Sequence, residues 1–416
     1  MVKACGSIDT FEVEAAVTNL DWAKQTFSIC LCRVYNYCMD CRFLQNGIAI
    51  DYSHTVKPCC IWQPTDQWRE QNQFKNVNFV DWHQSNLVQN AIQQLAVGQW
   101  PNACGECQRI ESNGRFDSMR GNGNHAYKNF EAGDITMEIR PGNTCNFACQ
   151  TCWPEASSRV TQYQLRAGII DSDTVVSERI TDFDRLLPIV HRIKTVVLLG
   201  GEPFYDKNCL AFLAWANQNL TAELTIFTNG SSVDFDFVKN YKGKINLVFS
   251  LDAIGRAAEY IRFGTEWRTV ASNYRKALKI NTASVRVNVT CSIYNYSEIE
   301  DLFNFLLEES PAMVTFGEPM QSWMREGAVP DIFRKGIVDQ LRRAQTTVAK
   351  MNLAQDQLDN GLNALESIIN NFNTTAWSES DHSTWCTFTN KLDQAKQVFA
   401  RDTVPILGQI LDYKSG

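Results

Sequence analysis

An α/β fold is predicted for the larger part of this 416-residue chain. It takes the form of a partial (β/α)6 barrel of the TIM type, with a small cysteine-rich α+β domain before it and a helical extension after it. Three observations predict this. Six strand-like runs alternate with helical stretches between about residues 134 and 320, the pattern of a parallel sheet with helical crossovers. Residues from about 35 to 125 are rich in cysteine and aromatic residues and poor in helical periodicity. From about 325 onwards the periodicity is that of long amphipathic helices. The divisions that follow are 1–34, 35–125, 130–322 and 323–416.

Composition narrows the class. Hydrophobic residues make up 44% and charged residues 20%, as in soluble globular proteins. No apolar run approaches the length that spans a bilayer. The opening Met1-Val2-Lys3-Ala4-Cys5 lacks the basic-then-apolar pattern of a secretory signal, so a cytoplasmic location is expected. A formal net charge of −7 without a basic run argues against binding long nucleic acid. Fifteen cysteines is a high count, and in a reducing compartment clustered cysteines point to metal ligands before disulfides.

Taken in order, residues 1–34 show no chemical signal, and Cys5, Cys30 and Cys32 read as small apolar residues. Ile48–Tyr52 and Thr55–Lys57 flank Ser53-His54 and suggest a β-hairpin, which delivers Pro58-Cys59-Cys60. A helix is predicted from Gln84 to Val97, with Gly98 past its end, and Cys104-Gly105-Glu106-Cys107 follows. Strand candidates in the core are Ile135–Arg140, Thr195–Leu199, Glu223–Thr228, Ile245–Leu251, Ser284–Ile293 and Met313–Phe316. Helices are expected over Asp206–Asn219, Trp267–Ile280 and Ser297–Leu307, and beyond the core over Asp331–Met351 and Gln355–Asn371. Cys386 stands alone and reads as structural. The working end of such a sheet lies at the carboxyl ends of its strands. Residues 145–152, 200–203, 229–230 and 250–252 therefore share one rim.

Chemistry concentrates in Asn143–Pro154, where Cys145, Cys149 and Cys152 stand at CxxxCxxC spacing directly after a strand. A closed iron–sulfur cubane takes four thiolates, so three on one loop would leave an iron open. Structural zinc is the competing reading, although no fourth ligand lies nearby in sequence. The strand Val196–Leu199 ends in Gly200-Gly201-Glu202-Pro203. Two glycines at a strand end permit close backbone approach by a ligand, and the carbonyls with Glu202 can accept from an ammonium group.

With CxxxCxxC after the first strand and GGEP after the second, the core resembles the radical S-adenosylmethionine (radical SAM) enzymes. The resemblance implies that Cys145, Cys149 and Cys152 hold a [4Fe–4S] cluster whose free iron is chelated by the methionine part of S-adenosylmethionine. It implies that Gly200, Gly201 and Glu202 contact the amino group, with Pro203 also counted among the cofactor-binding residues, and that a 5′-deoxyadenosyl radical abstracts hydrogen from substrate. Ser250, Asp252, Asn229 and Arg262 are further candidates for cofactor contact, arginine being suited to a carboxylate. Asn288 and Thr290 could line the same pocket. Many members carry an aromatic residue where this chain has Thr151.

Cys41, Gly47, Cys59-Cys60 and Cys104–Cys107 resemble the auxiliary-cluster domain called twitch or SPASM, through Trp82, Pro101, Glu111–Gly114, Ser118 and Arg120. That module usually follows the barrel, whereas here it precedes it. Cys41, Cys59, Cys104 and Cys107 are the favoured ligands of a second [4Fe–4S] cluster, Cys38 and Cys60 being able to replace a neighbour. Zinc on the same four residues is the alternative. The resemblance implies a peptide or protein substrate and a low-potential electron donor such as a flavodoxin or ferredoxin. The alternatives are a radical enzyme acting on a nucleotide, sugar or other small metabolite, and a non-catalytic iron–sulfur protein of the same fold.

Overall fold

A computed structural model describes residues 39–112, 118–171, 180–309 and 313–414. Cys5, Cys30, Cys32 and Cys38 lie outside the described residues. The chain divides into two compact units, one formed by 1–49 and 56–135, the other by 50–55 and 136–416.

In the first unit, β1 (Gly47–Ile50) pairs with β2 (Val56–Lys57). Gly47 is required where it stands, because a Cβ there would lie 2.2 Å from the Pro58 carbonyl oxygen and 2.6 Å from that of Phe43. Trp82 seals the same point, its indole N–H donating to the Gly47 carbonyl at 3.3 Å. Helix α1 (Asn86–Ala96) buries Val88, Ala91 and Leu95 on one face, and Gly98 follows it with φ of 76°. Two shorter helices, α2 (Gly105–Ser112) and α3 (Met119–Ala126), follow, with Ser118 capping α3 through the Gly121 amide.

In the second unit six strands lie side by side in chain order: β3 (Ile135–Ile139), β4 (Ile193–Leu198), β5 (Glu223–Thr228), β6 (Ile245–Ser250), β7 (Ala283–Thr290) and β8 (Met313–Gly317). The pairs from β4 to β8 are all parallel. Between strands run α4 (Ser158–Arg166), α5 (Lys207–Asn219), α6 (Phe235–Asn240), α7 (Gly255–Ile261), α8 (Trp267–Ala277) and α9 (Ile299–Glu309). This is the βα series read from the sequence, with β8 left unpaired to β3 among the described residues, so the barrel is partial. One strand ends earlier than expected. Ile293 is not in β7, because the Ser292 amide donates to the Asn295 side chain at 2.8 Å and turns the chain.

The C-terminal residues form α10 (Asp331–Val348), α11 (Gln355–Thr374), α12 (Glu379–Lys396) and α13 (Pro405–Asp412), counting only the longer helices. Helix α12 lies in the stretch expected to be helical but was not singled out there, and it buries several polar residues along its packed face: His382, Thr389, Asp393 and Lys396 stand among Trp385, Phe388 and Leu392. Their partners explain this. Tyr260 of α7 donates its hydroxyl proton to Asp393 at 2.9 Å, and the Tyr294 and Thr389 hydroxyls pair at 2.7 Å. No helix among the described residues is long and apolar enough to cross a membrane.

Candidate functional site

Two separate cavities collect most of the cysteines singled out above. The first lies within the first unit and is lined by Cys41, Cys59, Cys104 and Cys107, with Phe43, Leu44, Pro58, Trp62, Trp100 and Met119 among its apolar walls. The chain leaving β2 brings Cys59 up, the start of α2 brings Cys104 and Cys107, and Cys41 precedes the short helix Arg42–Asn46. Cys60 does not line this cavity. Burial, with the other thiols nearby, pushes Cys41 up to about 11 and Cys104 up to about 12, and it raises Cys59 and Cys107 as well. A single cation borders the cavity among these lining residues, Arg120. It is held by Glu111 and by the Asp40 carbonyl at 2.8 Å, while Ser118 also bonds Glu111. Glu111, Ser118 and Arg120 thus form one polar brace behind the thiols.

The second cavity, of about 330 Å³, lies within the second unit at the carboxyl ends of the strands. Cys145, Cys149 and Cys152 line it together with Gly200, Gly201, Glu202, Asn229, Ser250 and Arg262. The loop carrying the thiols is fixed from several sides. Asp206, which caps α5, accepts from the Thr144 amide at 2.7 Å, and Ser157, which caps α4, donates to the Phe147 carbonyl at 3.1 Å. Gln150 donates its amide to Ile261, and Ala148-Cys149 pairs antiparallel with Arg262-Phe263. Cys145 Sγ accepts from the Phe147 amide at 3.4 Å.

The glycines of GGEP serve this loop as well as the cavity. A Cβ on Gly201 would come within 2.3 Å of the Thr144 carbonyl oxygen, and one on Gly200 within 2.7 Å of Cys209 Sγ. Close approach is needed here first by the protein's own chain. Glu202 is 1% exposed and accepts from Phe204 N at 3.2 Å, Thr228 Oγ1 at 2.7 Å and Asn229 N at 2.6 Å. A carboxylate has about four acceptor sites, so one remains for a ligand. Burial pushes Glu202 up to about 7 despite these donors.

Pro203 and Asp252 do not line the cavity. Asp252 is fully buried and holds other groups in place: it accepts from Arg262 Nη1 at 2.8 Å and from the Thr290 amide at 2.8 Å. Burial alone would lower the pKa of Arg262, but Cys149 and Asp252 outweigh it and hold the guanidinium firmly charged. Its Nε has no hydrogen-bond partner among the described residues. Asn229 donates to Asn146 Oδ1 at 2.9 Å, tying the end of β5 to the cysteine loop. Asn288 and Thr290 do line the cavity, as do Phe147, Thr151 and Trp153.

Sequence reasoning missed Tyr52 and the rim Glu318-Pro319-Met320, which also line this cavity. Tyr52 comes from the hairpin turn and donates to the Gly200 carbonyl at 3.3 Å. Nothing in its local sequence marks it. Lys396 was missed too: its Nζ donates to the Ala148 carbonyl at 2.8 Å and to Gln150 Oε1 at 3.1 Å.

The thiols of each set line one cavity. Among the described residues no group of three or more His, Cys, Asp or Glu side chains is arranged to hold a metal ion. A single zinc needs sulfurs at about 2.3 Å. A polynuclear cluster takes a wider ring of thiolates, and three or four cysteines around a cavity supply that donor set. The residues present therefore fit a cluster.

No protein-family model matches the sequence, and no curated protein matches it. Solved structures with partial likeness include Streptococcus suis SuiB bound to the precursor peptide SuiA, with TM-score 0.36 and 17% identity over 54% of this chain and 48% of that one. Another is anSMEcpe with bound AdoMet and Kp18Cys peptide, with TM-score 0.37 and 16% identity over 55% of this chain and 62% of that one. The chain thus spans about half to two thirds of the length of these structures.

Proposed function

We propose that this protein is a radical S-adenosylmethionine enzyme, with one iron–sulfur cluster on Cys145, Cys149 and Cys152 and a second on Cys41, Cys59, Cys104 and Cys107. The observation that carries this reading is the shared cavity of three thiols and Glu202 at the strand ends. A cluster held by Cys145, Cys149 and Cys152 would supply the low-potential electron for reductive cleavage of S-adenosylmethionine. The chain's own residues do the binding. Glu202 keeps one acceptor site for the cofactor ammonium, and the Gly200 and Gly201 backbone borders the same space. Arg262 is pre-oriented by Asp252 to face a carboxylate, in the bidentate manner suited to guanidinium. Asn229, Asn288, Thr290 and Ser250 offer polar contacts to a ribose, and Phe147, Trp153 and Tyr52 supply aromatic wall.

The substrate class that we infer is a peptide or protein side chain. This rests on the likeness of the N-terminal cysteine segment to auxiliary modules and on the rim at Glu318–Met320, where Met320 is 68% exposed. The first cavity, with four thiols, suits a saturated cluster that transfers electrons or positions substrate in place of binding the cofactor. The test is anaerobic reconstitution with iron and sulfide, then addition of a low-potential reductant and S-adenosylmethionine. Formation of 5′-deoxyadenosine is expected. An intact cluster that yields none, with no cofactor affinity, would leave a non-catalytic iron–sulfur protein.

A further inference from the structure

Lys396 ends α12, and its ammonium group is driven into the underside of the cysteine loop. The residue is 7% exposed. Its two hydrogen-bond acceptors, the Ala148 carbonyl and Gln150 Oε1, flank Cys149 in sequence. The Phe263 ring lies 5.4 Å from Nζ and belongs to the dipeptide paired with Ala148-Cys149. Lys396 forms no ion pair among the described residues. Asp393, one turn earlier, is engaged by Tyr260 and by the Ala400 amide at 2.8 Å. A buried cation without a carboxylate partner costs several kcal/mol unless opposite charge is supplied nearby.

We infer that Lys396 is a resident counter-charge of the core cluster, a positioning residue through which the C-terminal helix makes that cluster easier to reduce. The inference rests on the proposed function. Three thiolates around the site give the assembled loop a net negative charge, and reduction adds one electron to it. A fixed cation behind Cys149 stabilises the reduced form more than the oxidised one, more strongly in a buried setting than in water. This gives a chemical role to the helical extension. The helix is held at the right height by the Tyr260–Asp393 and Tyr294–Thr389 pairs, so the charge cannot relax away from the loop.

Three substitutions separate charge from packing. Lys396→Gln keeps a donor toward the Ala148 carbonyl and removes the charge, Lys396→Arg keeps both, and Lys396→Met removes both. Each reconstituted full-length variant would be assayed for iron, for thermal unfolding, and for the midpoint potential of the core cluster by redox titration followed by EPR. Lys396→Gln is expected to retain wild-type iron and to be about tenfold harder to reduce, a shift of about 59 mV to more negative potential for one electron. Lys396→Arg should stay at the wild-type value. If Lys396→Met unfolds, the Gln and Arg pair still decides the matter. Full iron with an unchanged potential in Lys396→Gln would overturn the inference while leaving the function intact. Absence of iron from the wild-type triad would instead overturn the function on which it rests.

Discussion

The two cysteine cavities differ in the way that decides what each can do. The N-terminal one has four thiols, apolar walls and one cation, Arg120, with no carboxylate among its lining residues. The core one has three thiols and a polar wall of Glu202, Asn229, Asn288, Thr290 and Arg262, and it opens toward Met320. A metal cluster with four cysteine ligands is saturated, whereas one with three has room for a ligand. On the proposed reading, the walls of the three-thiol site carry groups that would match an amino acid's ammonium and carboxylate. The four-thiol site has little beyond hydrophobic cover and a brace. The difference teaches that ligand count and wall chemistry change together.

The comparison can be broken at either end. The largest effect is expected from replacing Cys145, Cys149 and Cys152 together by Ala, which should reduce 5′-deoxyadenosine formation to the uncatalysed background. Next, Cys104→Ala or Cys107→Ala should remove the N-terminal cluster but leave cofactor cleavage in the core, read as 5′-deoxyadenosine without substrate. Cys60→Ala, outside that cavity, should change neither. If Cys60→Ala removes the metal and Cys59→Ala does not, the ligand assignment is wrong.

Smaller effects sharpen the polar wall. Arg262→Met leaves Asp252 buried without its cation and is expected to cost about 3–5 kcal/mol of stability in denaturant unfolding, besides weakening cofactor binding. Glu202 gives a pH signature. Its folded pKa of about 7 lies above the carboxylate range of the unfolded chain, so the native state holds the proton more tightly. Its contribution to the cofactor-free protein is fully present below about pH 4 and is lost as pH rises toward 7, by up to roughly 3 kcal/mol. The difference in unfolding free energy between wild type and Glu202→Gln should therefore fall across that window. A flat difference would mean that Glu202 is solvated. Least of all, Tyr52→Phe removes one hydrogen bond to Gly200 and should cost about 1 kcal/mol.

Much of this was legible in the sequence because it is local. The βα series follows from periodicity, and Glu223–Thr228 matches its strand to the residue. The triad and GGEP announce themselves by spacing. What could not be read depends on distant chain segments meeting. Tyr52 reaches Gly200 across 148 positions, and Lys396 reaches Ala148 across 248. The GGEP motif points to space for a ligand, yet Gly201 is also forced by the Thr144 carbonyl. Helix α12 was hidden because its buried face carries polar residues, so its apolar stripe is broken where Asp393 and Lys396 do their work.

The most direct test of an open three-thiol site and a separate closed four-thiol site is iron and sulfide stoichiometry on anaerobically reconstituted protein. Two four-iron clusters predict about eight irons per chain in the wild type and about four in the Cys145→Ala/Cys149→Ala/Cys152→Ala variant. Loss of nearly all the iron in that variant would contradict the account and leave the N-terminal cysteines to another metal or to none.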